Sequence, residues 1–187
     1  MRKLTGEKLE AELARLEGMR AYEHQYESAG IVCGIDEAGR GPLAGPVVAA
    51  VAVLPKDCTI LRLNDSKKLS EKCREELFLE IKEKAAAYGI GIVSPEVIDS
   101  INILQATYEA MRQAVAQLPQ EPDIFLNDAV IIPGISEEKQ IKIIKGDAKS
   151  VSIAAASIVA KVTRDRLMVE YDKTLPGYGF ASNKGYG

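Results

Sequence analysis

Five short runs rich in β-branched and apolar residues, at 31–35, 47–53, 89–93, 124–126 and 140–144, alternate along the chain with stretches of helical periodicity. Leu9, Leu13, Leu16 and Met19 recur at helical spacing among charges, which predicts an amphipathic first helix. Ser70 caps a second helix whose Leu77, Ile81 and Ala85 share a stripe, with Gly89 expected to close it. Ser94 and Pro95 open a third helical stretch, in which Leu104, Tyr108, Met111, Val115 and Leu118 step by four and three toward a core. Residues 152–171 are Ala-rich and long enough for several helical turns. Strands and helices mixed in this way predict an α/β domain, a central mixed β-sheet flanked by helices. A chain of 187 residues can bury roughly 70% of its unfolded surface, so a single such domain folds without staples.

The ends of these runs carry acids. Asp36 and Glu37 follow the first, Asp128 ends the fourth, and Asp147 follows the fifth. In open α/β sheets ligands bind at strand ends. Carboxylates gathered there raise one another's pKa unless a cation sits among them. A set of hard oxygen donors without His or Cys selects Mg²⁺ or Mn²⁺ over zinc, and magnesium with open positions serves phosphoryl transfer. Between the first two runs lies Gly39-Arg40-Gly41-Pro42-Leu43-Ala44-Gly45-Pro46, too dense in Gly and Pro to be other than an ordered loop.

Composition excludes several classes. Three widely spaced cysteines, Cys33, Cys58 and Cys73, form no Cys-x-x-Cys pair, which speaks against a disulfide framework or structural zinc and for a cytoplasmic location. No run approaches the ~18 apolar residues of a spanning helix, the first thirty residues hold no apolar targeting core, and no membrane partner is expected. The net charge is −3, yet residues 139–166 hold seven basic residues against Asp147 and Asp165, a local face suited to phosphates. The lone histidine, His24, lies outside every cluster and reads as a surface residue. Asp165, flanked by Arg164 and Arg166, reads as an ion-pair partner, and Tyr108 and Met111 as core. No exposed apolar stripe is evident, so a monomer is expected.

The stretch Gly34-Ile35-Asp36-Glu37-Ala38-Gly39-Arg40-Gly41-Pro42-Leu43-Ala44-Gly45-Pro46 closely resembles the opening motif of bacterial ribonuclease HII. The resemblance continues through Asn64-Asp65-Ser66-Lys67-Lys68-Leu69-Ser70, Asn102-Ile103-Leu104-Gln105-Ala106-Thr107 and Lys145-Gly146-Asp147-Ala148-Lys149-Ser150. It closes with the tract from Ala154 to Asp165 and with Asn183-Lys184-Gly185-Tyr186, all in family order. This resemblance implies a ribonuclease H-like catalytic domain over residues 31–187, preceded by an N-terminal helical arm over 1–30. It implies that Asp36, Glu37, Asp128 and Asp147 form a four-carboxylate site for Mg²⁺ or Mn²⁺, with two ions roughly 4 Å apart. Gly39, Arg40 and Gly41 would read the ribonucleotide's 2′-hydroxyl through backbone groups, and Tyr186 would pack on the sugar beside the scissile phosphate. Lys67 is expected to meet phosphate, and Lys149, Ser150, Lys161 and Arg164 the nucleic-acid backbone.

The implied substrates are RNA–DNA hybrids and duplex DNA with embedded ribonucleotides. Cleavage 5′ of the ribonucleotide would leave 3′-hydroxyl and 5′-phosphate ends, a chemistry of ribonucleotide excision in DNA replication and repair. In two respects the chain departs from the family pattern. Asn127-Asp128-Ala129 stands where many relatives have an aliphatic residue, Asp and Gly. The chain also stops at Gly187, where the family usually continues into a C-terminal helical segment, so a truncated chain with weakened stability and substrate grip is expected. Two rival readings are a ribonuclease H-like DNA nuclease or resolvase, and a non-catalytic duplex-binding fragment. Gly39-Arg40-Gly41 with Tyr186 argues against the first. The retained acids argue against the second, because a pure binder gains nothing from repelling phosphate.

Overall fold

The computed structural model describes residues 4–187. Its frame is a five-stranded sheet of β1 (Val32–Ala38), β2 (Val47–Val53), β3 (Ala87–Val93), β4 (Ile124–Asp128) and β5 (Gln140–Ile143), in the order β3-β2-β1-β4-β5. The first three strands pair antiparallel, while β4 runs parallel to β1 and β5 parallel to β4. The sheet is therefore mixed, and its helices cover both faces. Around it lie α1 (Glu7–Met19), α2 (Ala21–Tyr26), α3 (Glu71–Lys84), α4 (Pro95–Ile101), α5 (Ile103–Val115), α6 (Val151–Thr174) and α7 (Phe180–Asn183). Among the described residues, no helix is long and apolar enough to cross a membrane.

The Val/Ala sequence of β2 explains the three layers. Successive side chains point to opposite faces, and both faces are covered, so every residue from Val47 to Ala52 is buried. Val48, Ala50 and Ala52 pack with Leu77 and Ile81 of α3 and with Ile158 and Val162 of α6. Val47, Ala49 and Val51 pack with Ala106, Ala110, Met111 and Ala114 of α5 on the other side. The short alanines let both helices approach the sheet closely. The first helix is bound to the α6 side: Leu16 and Met19 are buried in the same cluster, and Arg15 donates to the Leu63 carbonyl at 2.7 Å.

Three boundaries differ from the sequence expectation. β1 does not stop at Ile35 but pairs with β2 as far as Ala38, so Asp36 and Glu37 are strand residues. α3 ends at Lys84, with Ala85 already extended, and Gly89 lies inside β3 opposite Val51. There a Cβ would collide with the Ala114 carbonyl, and one at Gly91 with the Ala110 carbonyl, so these glycines serve the approach of α5 rather than a helix end. The third helical stretch is two helices. Asn102, at φ 68°, breaks it and accepts from Leu104 N and Gln105 N at 3.0 and 3.1 Å to cap α5. Leu104 is consequently exposed, and the buried face of α5 is made of smaller residues together with Met111.

Candidate active site

Because β1 and β4 are parallel neighbours in register Ile35 to Asn127, Asp36 and Asp128 emerge together at the C-terminal edge of the parallel part of the sheet. The chain leaves β5 through Lys145, in the left-handed conformation at φ 57°, into the turn Gly146–Ala148. The Gly146 N–H donates to Asp128 Oδ1 at 2.7 Å, which ties that turn to the end of β4. A Cβ at 146 would lie 2.6 Å from Ile153 Cδ1, so glycine lets the turn sit close over that side chain without displacing it. Ala129, directly after Asp128, is also left-handed at φ 58°, a conformation for which glycine carries no Cβ penalty. Asn127 is fully buried and donates to Gln140 Oε1 at 2.8 Å, binding the ends of β4 and β5 together.

Asp36, Asp128 and Asp147 each offer a carboxylate oxygen within 4.8 Å of the others. Asp36 and Asp147 are buried. Glu37 stands beside this cluster: its Oε1 accepts from Arg40 Nη1 at 3.1 Å, and its buried Oε2 has no hydrogen-bond partner. Burial raises Asp36 well above the usual carboxylate range, and the charges of Glu37 and Asp128 add to the rise. Burial also raises Glu37, against the lowering effect of Arg40. Asp147 is pushed up to about 6 by burial and by the neighbouring Asp65 and Asp128. Convergent buried carboxylates with raised pKa and an orphaned oxygen beside them form a cradle of hard donors, which fits a divalent cation of the Mg²⁺ or Mn²⁺ type.

Asp65 escaped the reading of the sequence. It caps the short 3₁₀ turn Ser66–Lys68, accepting from Lys67 N at 2.9 Å, and its carboxyl lies close enough to Asp147 to raise that residue's pKa. Its place in a loop rather than at a strand end hid it; its position directly before Ser66-Lys67-Lys68 was the available signal. Ser157 of α6 contacts Asp36 and lies with its Oγ 2.9 Å from Ser66 Oγ, joining α6, β1 and this turn.

Asp36 of the acidic cluster and the adjacent Glu37 line a cleft of about 190 Å³ together with Gly39, Arg40, Gly41, Lys67, Lys161 and Tyr186. Tyr186 is half exposed and lies 3.7 Å from where a Cβ on Gly41 would be. Gly39 sits at φ 113°, and a Cβ there would come within 2.5 Å of the Pro46 carbonyl. Lys67 also faces the acids, lowering both Glu37 and Asp147.

Of the other expected contacts, Ser150 and Lys149 are not brought to the cleft. Ser150 is fully buried; its hydroxyl caps α6 by accepting from Ile153 N at 3.1 Å and donates to Glu23 Oε1 at 2.5 Å. Lys149 is exposed and is not among the residues lining the cleft. Arg164 lines the cleft, but it is buried with its guanidinium on three main-chain carbonyls, so its donors serve the protein and not solvent. Asp165 pairs with Lys161 at 2.7 Å and Arg74 at 3.6 Å, an ion-pair role with partners other than the flanking arginines. His24 is exposed, 3.7 Å from Glu17.

The profile of the ribonuclease HII family matches residues 33–187. The chain belongs to the ribonuclease HII family. It is 65% identical over 181 residues to the ribonuclease HII of Lachnoclostridium phytofermentans, covering 97% of this chain and 71% of that one. Against the ribonuclease HII of Ruminiclostridium cellulolyticum it is 58% identical over 182 residues, covering 96% and 71%. The crystal structure of ribonuclease H2 from Pyrococcus horikoshii superposes with a TM-score of 0.68 at 29% identity, over 84% of this chain and 81% of that one. The mixed sheet with flanking helices is thus the ribonuclease H-like fold. Ribonucleases HII are metal-dependent hydrolases, endoribonucleases acting on RNA–DNA hybrids.

A consequence of the crowded acids is a metal-dependent stability that changes with pH. Asp147 has an unfolded pKa near ~4 and a folded value of about 6. Its folded-state proton therefore favours folding below the unfolded value, and the contribution is lost as pH rises through 6. Asp36 and Glu37 act in the same direction. A cation that binds only the folded, deprotonated site acts in the opposite sense. Thermal melts in EDTA and in saturating Mn²⁺ should therefore diverge, the metal raising Tm more at pH 7.5 than at pH 5. Equal increments at both pH values would mean that the ion binds elsewhere.

Proposed function

We propose that the chain cuts duplexes on the 5′ side of a ribonucleotide, including single ribonucleotides embedded in DNA, with Asp36, Glu37, Asp128 and Asp147 holding two divalent cations. The observation that carries this reading is that Asp36, one of three converging carboxylates, lines one cleft together with Glu37, Gly39-Arg40-Gly41 and Tyr186. The 2′-hydroxyl is the one group that marks a ribose off from a deoxyribose, and it is both donor and acceptor. A backbone loop that glycine keeps free of side chains suits such a group, since main-chain N–H and C=O offer both complements. Tyr186, next to Gly41, would present its ring to the sugar on the other side of the scissile phosphate.

The position of the cut dictates its chemistry. The phosphate 5′ to a single embedded ribonucleotide hangs on the 3′-oxygen of a deoxynucleotide, which has no 2′-hydroxyl, so no cyclic phosphate can form there and water must attack. A water oxygen bonds to phosphorus as the bond to the preceding 3′-oxygen breaks; that oxygen gains a proton, leaving 3′-hydroxyl and 5′-phosphate ends. Divalent cations on the carboxylates would supply Lewis-acid polarisation of the phosphate and acidification of the attacking water. Glu37, buried and paired with Arg40, would keep its charge directed into the cluster. Lys67 would meet the phosphate, offsetting its repulsion from the acids.

The test is cleavage of a DNA duplex carrying one ribonucleotide, with an RNA–DNA hybrid and an all-DNA duplex alongside, in Mg²⁺ or Mn²⁺. The expected result is a single cut 5′ of the ribonucleotide, abolished by EDTA and by Asp128→Asn. Cutting of the all-DNA duplex at a comparable rate would refute the 2′-hydroxyl reading, and cutting by Asp128→Asn would refute the metal site.

A further inference from the structure

Arg164 is 1% exposed, yet it carries a charge that burial makes costly. Its donors are directed at three carbonyls from two distant segments. Nε donates to Pro46 O at 2.9 Å and Nη2 to Ala44 O at 2.8 Å, both in the loop after β1, while Nη1 donates to Lys184 O at 2.8 Å. The two segments also bond to each other: Leu43 N and Ala44 N donate to Gly185 O at 2.9 and 3.3 Å. The packing leaves no slack, since a Cβ on Gly39 would lie 2.7 Å from Arg164 Nε and one on Gly45 3.1 Å from Nη2. Gly39-Arg40-Gly41 is the start of one clamped segment, and Tyr186 directly follows the other.

We infer that Arg164 is a positioning residue for substrate selection, setting the separation between the Gly39-Arg40-Gly41 loop and Tyr186 by fixing both segments to the rigid helix α6. The inference rests on the roles proposed for that loop and for Tyr186. A ribonucleotide at a junction with DNA must be met by both elements at once, so an error in their spacing falls on that substrate first. Misplacement by about 1 Å can cost 10²-fold in rate. Only the planar fork of an arginine serves three carbonyls in this arrangement. A lysine has a single ammonium at the end of its stem and cannot span them.

The experiment compares kcat/KM on a duplex carrying a single embedded ribonucleotide with kcat/KM on a long RNA–DNA hybrid, for the parent chain, Arg164→Lys, Tyr186→Ala and the double variant. The expected result is a fall of about 10-fold or more in the junction-to-hybrid ratio for Arg164→Lys, with the double variant no lower than Tyr186→Ala alone, the signature of two residues acting through one contact. A purely structural arginine would lower both substrates in proportion and leave the ratio intact. That outcome, or effects that multiply in the double variant, overturns the inference. If Tyr186→Ala itself leaves the ratio unchanged, the role proposed for the tyrosine fails instead. Should Arg164→Lys melt below the assay temperature, Asn183→Ala asks the same question from the surface. Asn183 Oδ1 accepts from Gly185 N at 2.8 Å, and removing it loosens the same segment. A ratio unchanged by Asn183→Ala then overturns the inference.

Discussion

Asp36→Asn is expected to abolish cleavage while raising the melting temperature of the metal-free protein. Asp36 is buried beside Glu37 and Asp128, and burial together with those two charges opposes its carboxylate form. Asparagine keeps the shape and can retain the contact with Ser157, but it carries no charge to be desolvated or repelled. In EDTA each kcal/mol of relieved repulsion should appear as about 2–4 °C in Tm for a domain of this size. The same change removes an anionic donor from the proposed cation site, and a loss of about 10³-fold or more in kcat/KM is expected, comparable with losing a key electrostatic group in other active sites. Melting in EDTA together with a cleavage assay in Mn²⁺ reads both effects. If stability and activity fall together, Asp36 is a structural polar residue. If activity survives, the acids are not the cation site. The opposed signs distinguish a site kept at the expense of stability from one that merely packs well.

Much of this arrangement was legible because the chemistry sits where the backbone pattern is strongest. The Val/Ala run of β2 announces a strand buried on both faces, and the acids at 36, 128 and 147 follow from strand ends in a parallel arrangement. The ribonuclease HII motifs then single out the loop and the tyrosine beside those acids. What the sequence could not convey was which way the polar residues within a motif turn. Ser150 and Arg164 stand in the same basic tract as Lys161, yet the first caps α6 and the second clamps two loops, because both are drawn inward by main-chain groups that would otherwise be buried without partners. Asp65 was passed over for a related reason. A turn-capping aspartate is common, and only the tertiary approach of its turn to Asp147 makes it part of the acidic cluster. Gly89 illustrates the ambiguity of glycine itself: the same residue ends helices and admits a close neighbour, and the approach of α5 decides between them.

Gly34→Ala is expected to damage the protein out of proportion to one methyl group. Gly34 lies in the middle of β1, paired with Ala52 on one side and Leu126 on the other, so the strand cannot shift without breaking two ladders. On the face toward α6, a Cβ at this position would coincide with the backbone of Ser152 and Ile153, in the first turn of the helix. Backbone cannot rotate aside as a long side chain can, so α6 as a whole would have to retreat. Overpacking of a rigid site typically costs 1–3 kcal/mol, and this one should lie at or above about 3, a large part of a total margin of about 5–15 kcal/mol.

The retreat also has a functional direction. The first turn of α6 follows the turn that bears Asp147, and one turn further along the helix Ser157 contacts Asp36. Moving the helix off β1 separates Asp147 and Ser157 from Asp36 and Asp128 together, widening the carboxylate cluster that now closes within 4.8 Å. The variant should therefore melt at a lower temperature and, at temperatures where it remains folded, require more Mn²⁺ for half-maximal cleavage. A lowered Tm with unchanged Mn²⁺ dependence would show that the helix can retreat without carrying the acids with it. The spacing of the site would then be set by the Gly146 N–H bond to Asp128 rather than by the seat of α6 on β1.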